Sequence, residues 1–217
     1  ISNSMTNLPN GNINKRVKAL YQGGEYREEK ALEQVHLVLG FKGLDYYDED
    51  YYALKIYSAI MGAGMSSRLF QEIREKRGLV YSIHTSSRSF YDTGTFQVFA
   101  GTGEKQIQEL IPVLCDELQN APKNLTDKEI EKSKTQLKSA TLMATESTMS
   151  NAAIAVHQIF TKEKLINIEE TLEKIKNVSK SSIEKAAKKL LSSKPTVSSI
   201  GPIQQLENLD NITKRLN

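Results

Sequence analysis

The sequence predicts an α+β fold, and three observations predict it. Val35, Leu37, Leu39 and Phe41 alternate with Gln34, His36 and Val38 over Glu33–Phe41, the period of a half-buried strand. Ile107, Leu110, Ile111, Leu114, Cys115 and Leu118 recur at helical spacing over Lys105–Asn120. Along the chain two strands precede two helices, two more strands, a run of helices and a last strand. Strands and helices in runs, rather than in strict alternation, indicate α+β. The expectation is a mostly antiparallel sheet of about five or six strands with helices packed mainly on one face.

The elements follow in order. Residues 1–16 are polar, with Asn, Pro and Gly, and read as an arm or linker ahead of one domain over 17–217. Whether Ile1–Met5 is native is open. Val17–Glu25 reads as a first strand interrupted at Gly23-Gly24. Asp48 can cap the next helix, Glu49–Met61, with Ala53, Leu54, Tyr57, Ile60 and Met61 facing inward. Gly62-Ala63-Gly64 then allows a tight connection between helices. Met65–Lys76 has apolar residues at Met65, Leu69, Phe70 and Ile73, with Ser66 as its N-cap and Arg77-Gly78 as its stop. Val80–Thr85 and Thr95–Ala100 are rich in β-branched and aromatic residues and read as strands joined by the Asp92-Thr93-Gly94 turn.

After the Lys105–Asn120 helix and the break at Pro122–Leu125, Thr126 and Glu129 form a capping box. The helix they open runs toward Thr161, with an interruption near Glu146–Ser150. Ile168–Lys176 and Ser182–Leu191 are further helices, Pro195–Gly201 is a short strand, and Leu206–Leu216 closes as a helix.

Composition excludes several classes. A formal charge of +3 over 217 residues gives no basis for nucleic-acid or membrane binding. Lys185, Lys188 and Lys189, and Lys132, Lys134 and Lys138, lie among acids without interleaved aromatics, so they read as solvated helix faces. No apolar run reaches about 18 residues. The single cysteine, Cys115, cannot form an internal disulfide, sits on an apolar helix face as core filling, and fits a reducing compartment such as the bacterial cytoplasm or the mitochondrial matrix.

The candidate chemistry is narrow. Gly62-Ala63-Gly64 lacks the Lys-Ser/Thr ending of a phosphate loop, and Ser66 and Ser67 lie in no Gly-x-Ser-x-Gly elbow. A catalytic zinc needs about three protein ligands. His36, His84 and His157 are each isolated, none leading a His-x-x-Glu-His motif, so no metal ligand is assigned to this chain. Two polar residues remain beside the Gly78 corner, Arg74 in the last helical turn and Tyr81 at the start of the strand. Taken alone, such a pair is commonly structural, the arginine paired with Asp92 or Glu75 and the tyrosine packed with its hydroxyl at the surface. Of the neighbouring cations Arg68, Lys76 and Arg77, Arg68 is the one expected to be buried and paired.

The stretch SSRLFQEIREKRGLVYS, followed by DTGTFQVFAGT, resembles the second domain of the pitrilysin, insulinase and mitochondrial processing peptidase family, the zinc metallopeptidases with an inverted His-x-x-Glu-His motif. The likeness extends back to YQGGEYREEKALEQVHLVLGF and forward to the Thr126–Glu129 helix start and Ser199-Ile200-Gly201-Pro202. The resemblance implies the same α+β architecture and a domain cut from a longer polypeptide. It implies Zn2+ on a partner domain of the same or another polypeptide, in a homo- or heterodimer whose halves close around an extended peptide. In that family an Arg and a Tyr seven residues apart on the second domain reach the substrate at the zinc site. Arg74 and Tyr81 match that spacing and context, which makes them the expected catalytic and substrate-binding residues. The alternative under the same resemblance is a non-catalytic assembly subunit, as in the core subunits of the respiratory bc1 complex.

Overall fold

The computed structural model describes residues 17–216, so the arm over residues 1–16 lies outside the described residues. Five strands form one sheet in the order β1-β5-β2-β4-β3. They are β1 (Gly24–Glu29), β2 (Val35–Gly43), β3 (Val80–Ser89), β4 (Gly94–Thr102) and β5 (Thr196–Gly201). The sheet is mixed. β2 pairs antiparallel with β4 and β5, and β3 with β4, but β1 runs parallel to β5. The parallel pair joins the two ends of the domain, and no local pattern in the sequence reports it.

The first strand lies later than the sequence suggested. Gly23 and Gly24 adopt φ of +69° and +145° and turn the chain into β1 instead of interrupting a strand. Val17 and Leu20 are left exposed ahead of that turn. The Tyr21 hydroxyl anchors this segment, donating to the Gly40 carbonyl at 3.1 Å and lying 2.8 Å from the Thr196 hydroxyl.

The core lies between one sheet face and the helices. Val35, Leu37, Leu39 and Phe41 of β2 and Phe96, Val98 and Ala100 of β4 face α1 (Tyr51–Gly62), α2 (Ile107–Asn120) and α6 (Lys180–Leu191), whose apolar stripes are buried. The whole predicted stripe of α2, Cys115 included, is buried, and burial raises the Cys115 thiol to about 12. α1 approaches β3 closely because it ends in Gly62, where a Cβ would stand 2.4 Å from the Thr85 nitrogen. Across that contact the Thr85 hydroxyl donates to the Ser58 carbonyl at 2.7 Å. α1 begins two residues after the expected position. Asp48 accepts the Asp50 backbone N–H at 2.9 Å, so it caps the turn ahead of the helix and not the helix itself.

The capping box at Thr126 and Glu129 is present at the head of α3 (Asp127–Ala144). The expected interruption falls at Thr145–Ser147, and Ser147 caps α4 (Thr148–Lys162). α5 (Ile168–Lys176) matches its expected bounds, and α7 (Leu209–Leu216) starts three residues late. Lys185 and Lys189 on α6 are not simply solvated, since they pair with Asp50 at 3.3 and 2.9 Å. No helix among the described residues is long and apolar enough to cross a membrane.

Candidate functional site

The Gly78 corner is built from an unusual helix. The segment preceding it is a π-helix over Phe70–Glu75, in which Lys76 donates its backbone N–H to the Gln71 carbonyl five residues back, at 3.0 Å. Such wide turns are rare and gather at functional positions. Leu69 and Ile73 are buried as expected, but Met65 is 74% exposed because the helix begins only after Ser67. Ser66 is not the cap; its hydroxyl takes the Lys132 ammonium, while Ser67 donates to the Gly64 carbonyl at 2.7 Å.

At the other end Gly78 adopts φ of +62° and donates to the Arg74 carbonyl at 3.0 Å. Leu79 donates to the Ile73 carbonyl at 3.0 Å. These two bonds end the helix as a left-handed glycine stop does. The Thr102 hydroxyl then ties the Leu79 carbonyl to β4 at 2.6 Å, so the corner is fixed to the sheet.

Tyr81 follows directly and sits in a β-bulge. Val80 pairs with Thr102 and Ser82 with Gly101, which leaves Tyr81 as the extra residue. A bulge re-aims a side chain without ending the strand. Val80 and Ile83 both stay in the core, while Tyr81 is 63% exposed and its hydroxyl has no hydrogen-bond partner among the described residues.

The three arginines of the segment differ sharply. Arg68 hydrogen-bonds Glu129 twice, at 2.5 and 2.8 Å, and the Asn124 carbonyl at 2.6 Å. It is the paired arginine the sequence anticipates. Arg77 donates to the Glu72 carbonyl at 2.7 Å and to its carboxylate at 3.2 Å. Lys76 also binds Glu72, and its hydrogen bond holds that carboxyl below the usual range. The Arg74 guanidinium makes no hydrogen bond among the described residues. Its side chain is 40% exposed, lies over the Phe70 ring at 4.6 Å and meets Glu75 at 3.7 Å. The bridge is to Glu75, not Asp92, whose carboxylate accepts the Ala19 backbone N–H at 2.8 Å. Glu72 as the shared partner of two cations was missed in the sequence, though the Glu72–Lys76 spacing of four residues was a legible sign of it.

The histidines stay apart. His36 is exposed on β2, His84 stacks on Phe99 with centroids 4.8 Å apart, and His157 lies 2.7 Å from the Tyr46 hydroxyl. No group of three or more His, Cys, Asp or Glu side chains among the described residues is placed to hold a metal ion.

A family model described as the peptidase M16 inactive domain matches residues 3–137. An uncharacterized zinc protease of Rickettsia bellii is 34% identical over 198 residues, covering 91% of this chain and 48% of its own length. The mitochondrial-processing peptidase subunit alpha of Caenorhabditis elegans is 27% identical over 216 residues, covering 90% of this chain and 42% of its own. Among solved structures, a chain of complex III2 from Candida albicans superposes with a TM-score of 0.80 at 18% identity, over 89% of this chain and 49% of that one. The chain therefore spans about half the length of the relatives it matches.

Proposed function

The chain belongs to the M16 peptidase family through that family's inactive domain, and we propose that it is the zinc-free half of a pitrilysin-type metalloendopeptidase. In this reading Arg74 and Tyr81 reach a peptide bound at a zinc site on another domain. The observation that supports it is the contrast among the arginines. Arg68 and Arg77 are engaged inside the domain, whereas Arg74 and the bulged Tyr81 keep their donors free of hydrogen bonds beside one fixed corner.

Zinc does not fit the described residues of this chain, whose three histidines are scattered over β2, β3 and α4. The domain's own part is therefore hydrogen-bond donation. A peptide carbonyl under attack gathers charge on its oxygen, and a neutral phenol aimed at that oxygen stabilises it without gaining or losing a proton. The guanidinium of Arg74 stays charged near neutral pH and presents a planar fork of donors to carbonyl oxygens of the peptide.

Tyr81→Phe in the full-length, zinc-loaded enzyme tests the proposal. It keeps the ring and removes one donor, so turnover should fall roughly 10²–10³-fold with unchanged folding. A parent rate would overturn the catalytic assignment and favour an assembly subunit of the same fold.

A further inference from the structure

A groove between α1, α3, α4 and α5, remote in sequence from the Gly78 corner, carries an unneutralised pair of cations. Lys55 of α1 donates to the Ser87 carbonyl and lies 5.5 Å from the centre of the Tyr51 ring. Lys162, the last residue of α4, donates to the Tyr46 carbonyl at 2.8 Å and lies 5.9 Å from the same ring. Neither ammonium has a carboxylate within ion-pair distance among the described residues. The neighbouring Glu170 is taken by Lys174 at 2.6 Å, and Asp48 by Lys189 at 3.1 Å. An ammonium has three donors, and each lysine has one hydrogen bond, to a carbonyl. Burial pushes both lysines below their ordinary range.

The rest of the groove is mixed, with an apolar wall interspersed with Thr141, Thr145, Asn151, Gln158 and Thr171. A cavity of about 550 Å³ next to Lys55 is walled by Leu137, Ile154, Leu165, Ile166 and Ile175. It shares Tyr51, Tyr52 and Ile166 with a second cavity of about 370 Å³ that contains Lys162. Each volume lies in the range of small-molecule sites, roughly 300–1,000 Å³. A groove with one apolar wall and two half-buried cations near one ring matches a ligand with an anionic head and a hydrocarbon tail.

We propose that this groove binds an amphipathic carboxylate, with Lys55 and Lys162 holding the head beside Tyr51 and the Leu137, Ile154, Leu165 and Ile175 walls holding an acyl chain. The head completes the hydrogen bonding of both ammoniums, and the chain removes apolar wall from water. Because α4 contributes Ile154 and Lys162 while α1 contributes Tyr51 and Lys55, a bound ligand also ties α4 to the body of the domain.

Titration of the chain with sodium decanoate tests this by calorimetry, with tyrosine emission as a second signal since the chain has nine Tyr and no Trp. Decanoate should bind, decanol and acetate should bind at least about tenfold more weakly, and Lys55→Met and Lys162→Met should each lose about tenfold in affinity, the worth of one charge-assisted hydrogen bond. Ala155→Trp, which fills the groove from α4, should abolish binding and keeps the test decisive if a lysine variant unfolds. Absence of decanoate binding, equal binding of decanol, or affinity unchanged in all three variants would overturn the proposal. None of these readouts depends on zinc or on peptide cleavage.

Discussion

Arg68 holds Glu129 through two parallel hydrogen bonds of 2.5 and 2.8 Å, across 61 residues of sequence. The same carboxylate accepts the Thr126 backbone N–H at 2.9 Å, so one side chain both caps α3 and pins it to the start of the π-helix segment. Burial opposes ionisation of Glu129, but the bonds from Arg68 and Thr126 outweigh it and lower the carboxyl from 4.5 to about 2.

This sets an acid limit on stability. Between pH 4.5 and about 2 the unfolded chain binds a proton at Glu129 that the native chain does not. The contribution of this group is therefore present above pH 4.5 and is lost as pH falls toward 2. Urea unfolding across that window should show stability declining with acid, and Glu129→Gln should flatten the decline. Arg68→Ala at neutral pH should lower stability by about 2–3 kcal/mol, because the paired carboxylate keeps its charge and loses its best donor.

Arg74→Ala should behave differently. Its contacts are one 3.7 Å approach to an exposed glutamate and the face of Phe70, so urea stability should fall by less than about 1 kcal/mol. In the assembled enzyme the same variant should raise KM and lower kcat together, since an arginine on the peptide acts in both the ground and the transition state. Arg77→Ala, which breaks bonds to Glu72, should leave the kinetics unchanged. Equal kinetic losses in both variants would show that Arg74 acts only through the corner's structure.

The isolated chain should bind no stoichiometric zinc. Metal analysis of untagged protein after passage over a chelating resin checks this. One retained zinc per chain, with chelator-sensitive peptidase activity, would contradict the assignment of zinc to another domain.

α4 should drive association of the free chain. Apart from Lys162 it carries no Asp, Glu, Lys or Arg, and it has no buried residue. Met149, Val156 and Phe160 lie at helical spacing and are 80%, 53% and 74% exposed. Low charge and exposed apolar groups are features of an interface centre. The chain spans about half the length of the relatives it matches, and for the isolated chain in solution a second copy is the partner at hand. Sedimentation should show self-association that Val156→Ser with Phe160→Ser weakens, with the far-ultraviolet spectrum unchanged.

How much of this was legible before the structure depends on how local each cause is. The β2 alternation, the α2 stripe, the Thr126–Glu129 box and the Gly78 stop rest on neighbours within a few residues, and their patterns name the right residues. Arg68 was legible as a paired cation, but its partner 61 positions away was not. The placement of Arg74 and Tyr81 was visible only as a spacing within a motif.

By itself the sequence determined the α+β class, the helix start at the Thr126–Glu129 box and the helix stop at Gly78, the burial of Cys115 and the family to which the chain belongs, whereas the caps it offered at Asp48 and Ser66 were not the ones used. Periodicity and terminal chemistry are local, so they survive without coordinates. Only the tertiary structure decided that β1 runs parallel to β5, that the 70–75 segment winds as a π-helix, that Tyr81 occupies a bulge and that, of the three arginines Arg68, Arg74 and Arg77, Arg74 is the one whose side chain makes no hydrogen bond among the described residues. Each depends on which distant group occupies the space beside a residue: β4 sets the bulge, Glu129 captures Arg68, and β5 arrives from the far end of the chain to pair with β1. Those contacts are fixed by packing of the whole domain, which no window of sequence contains.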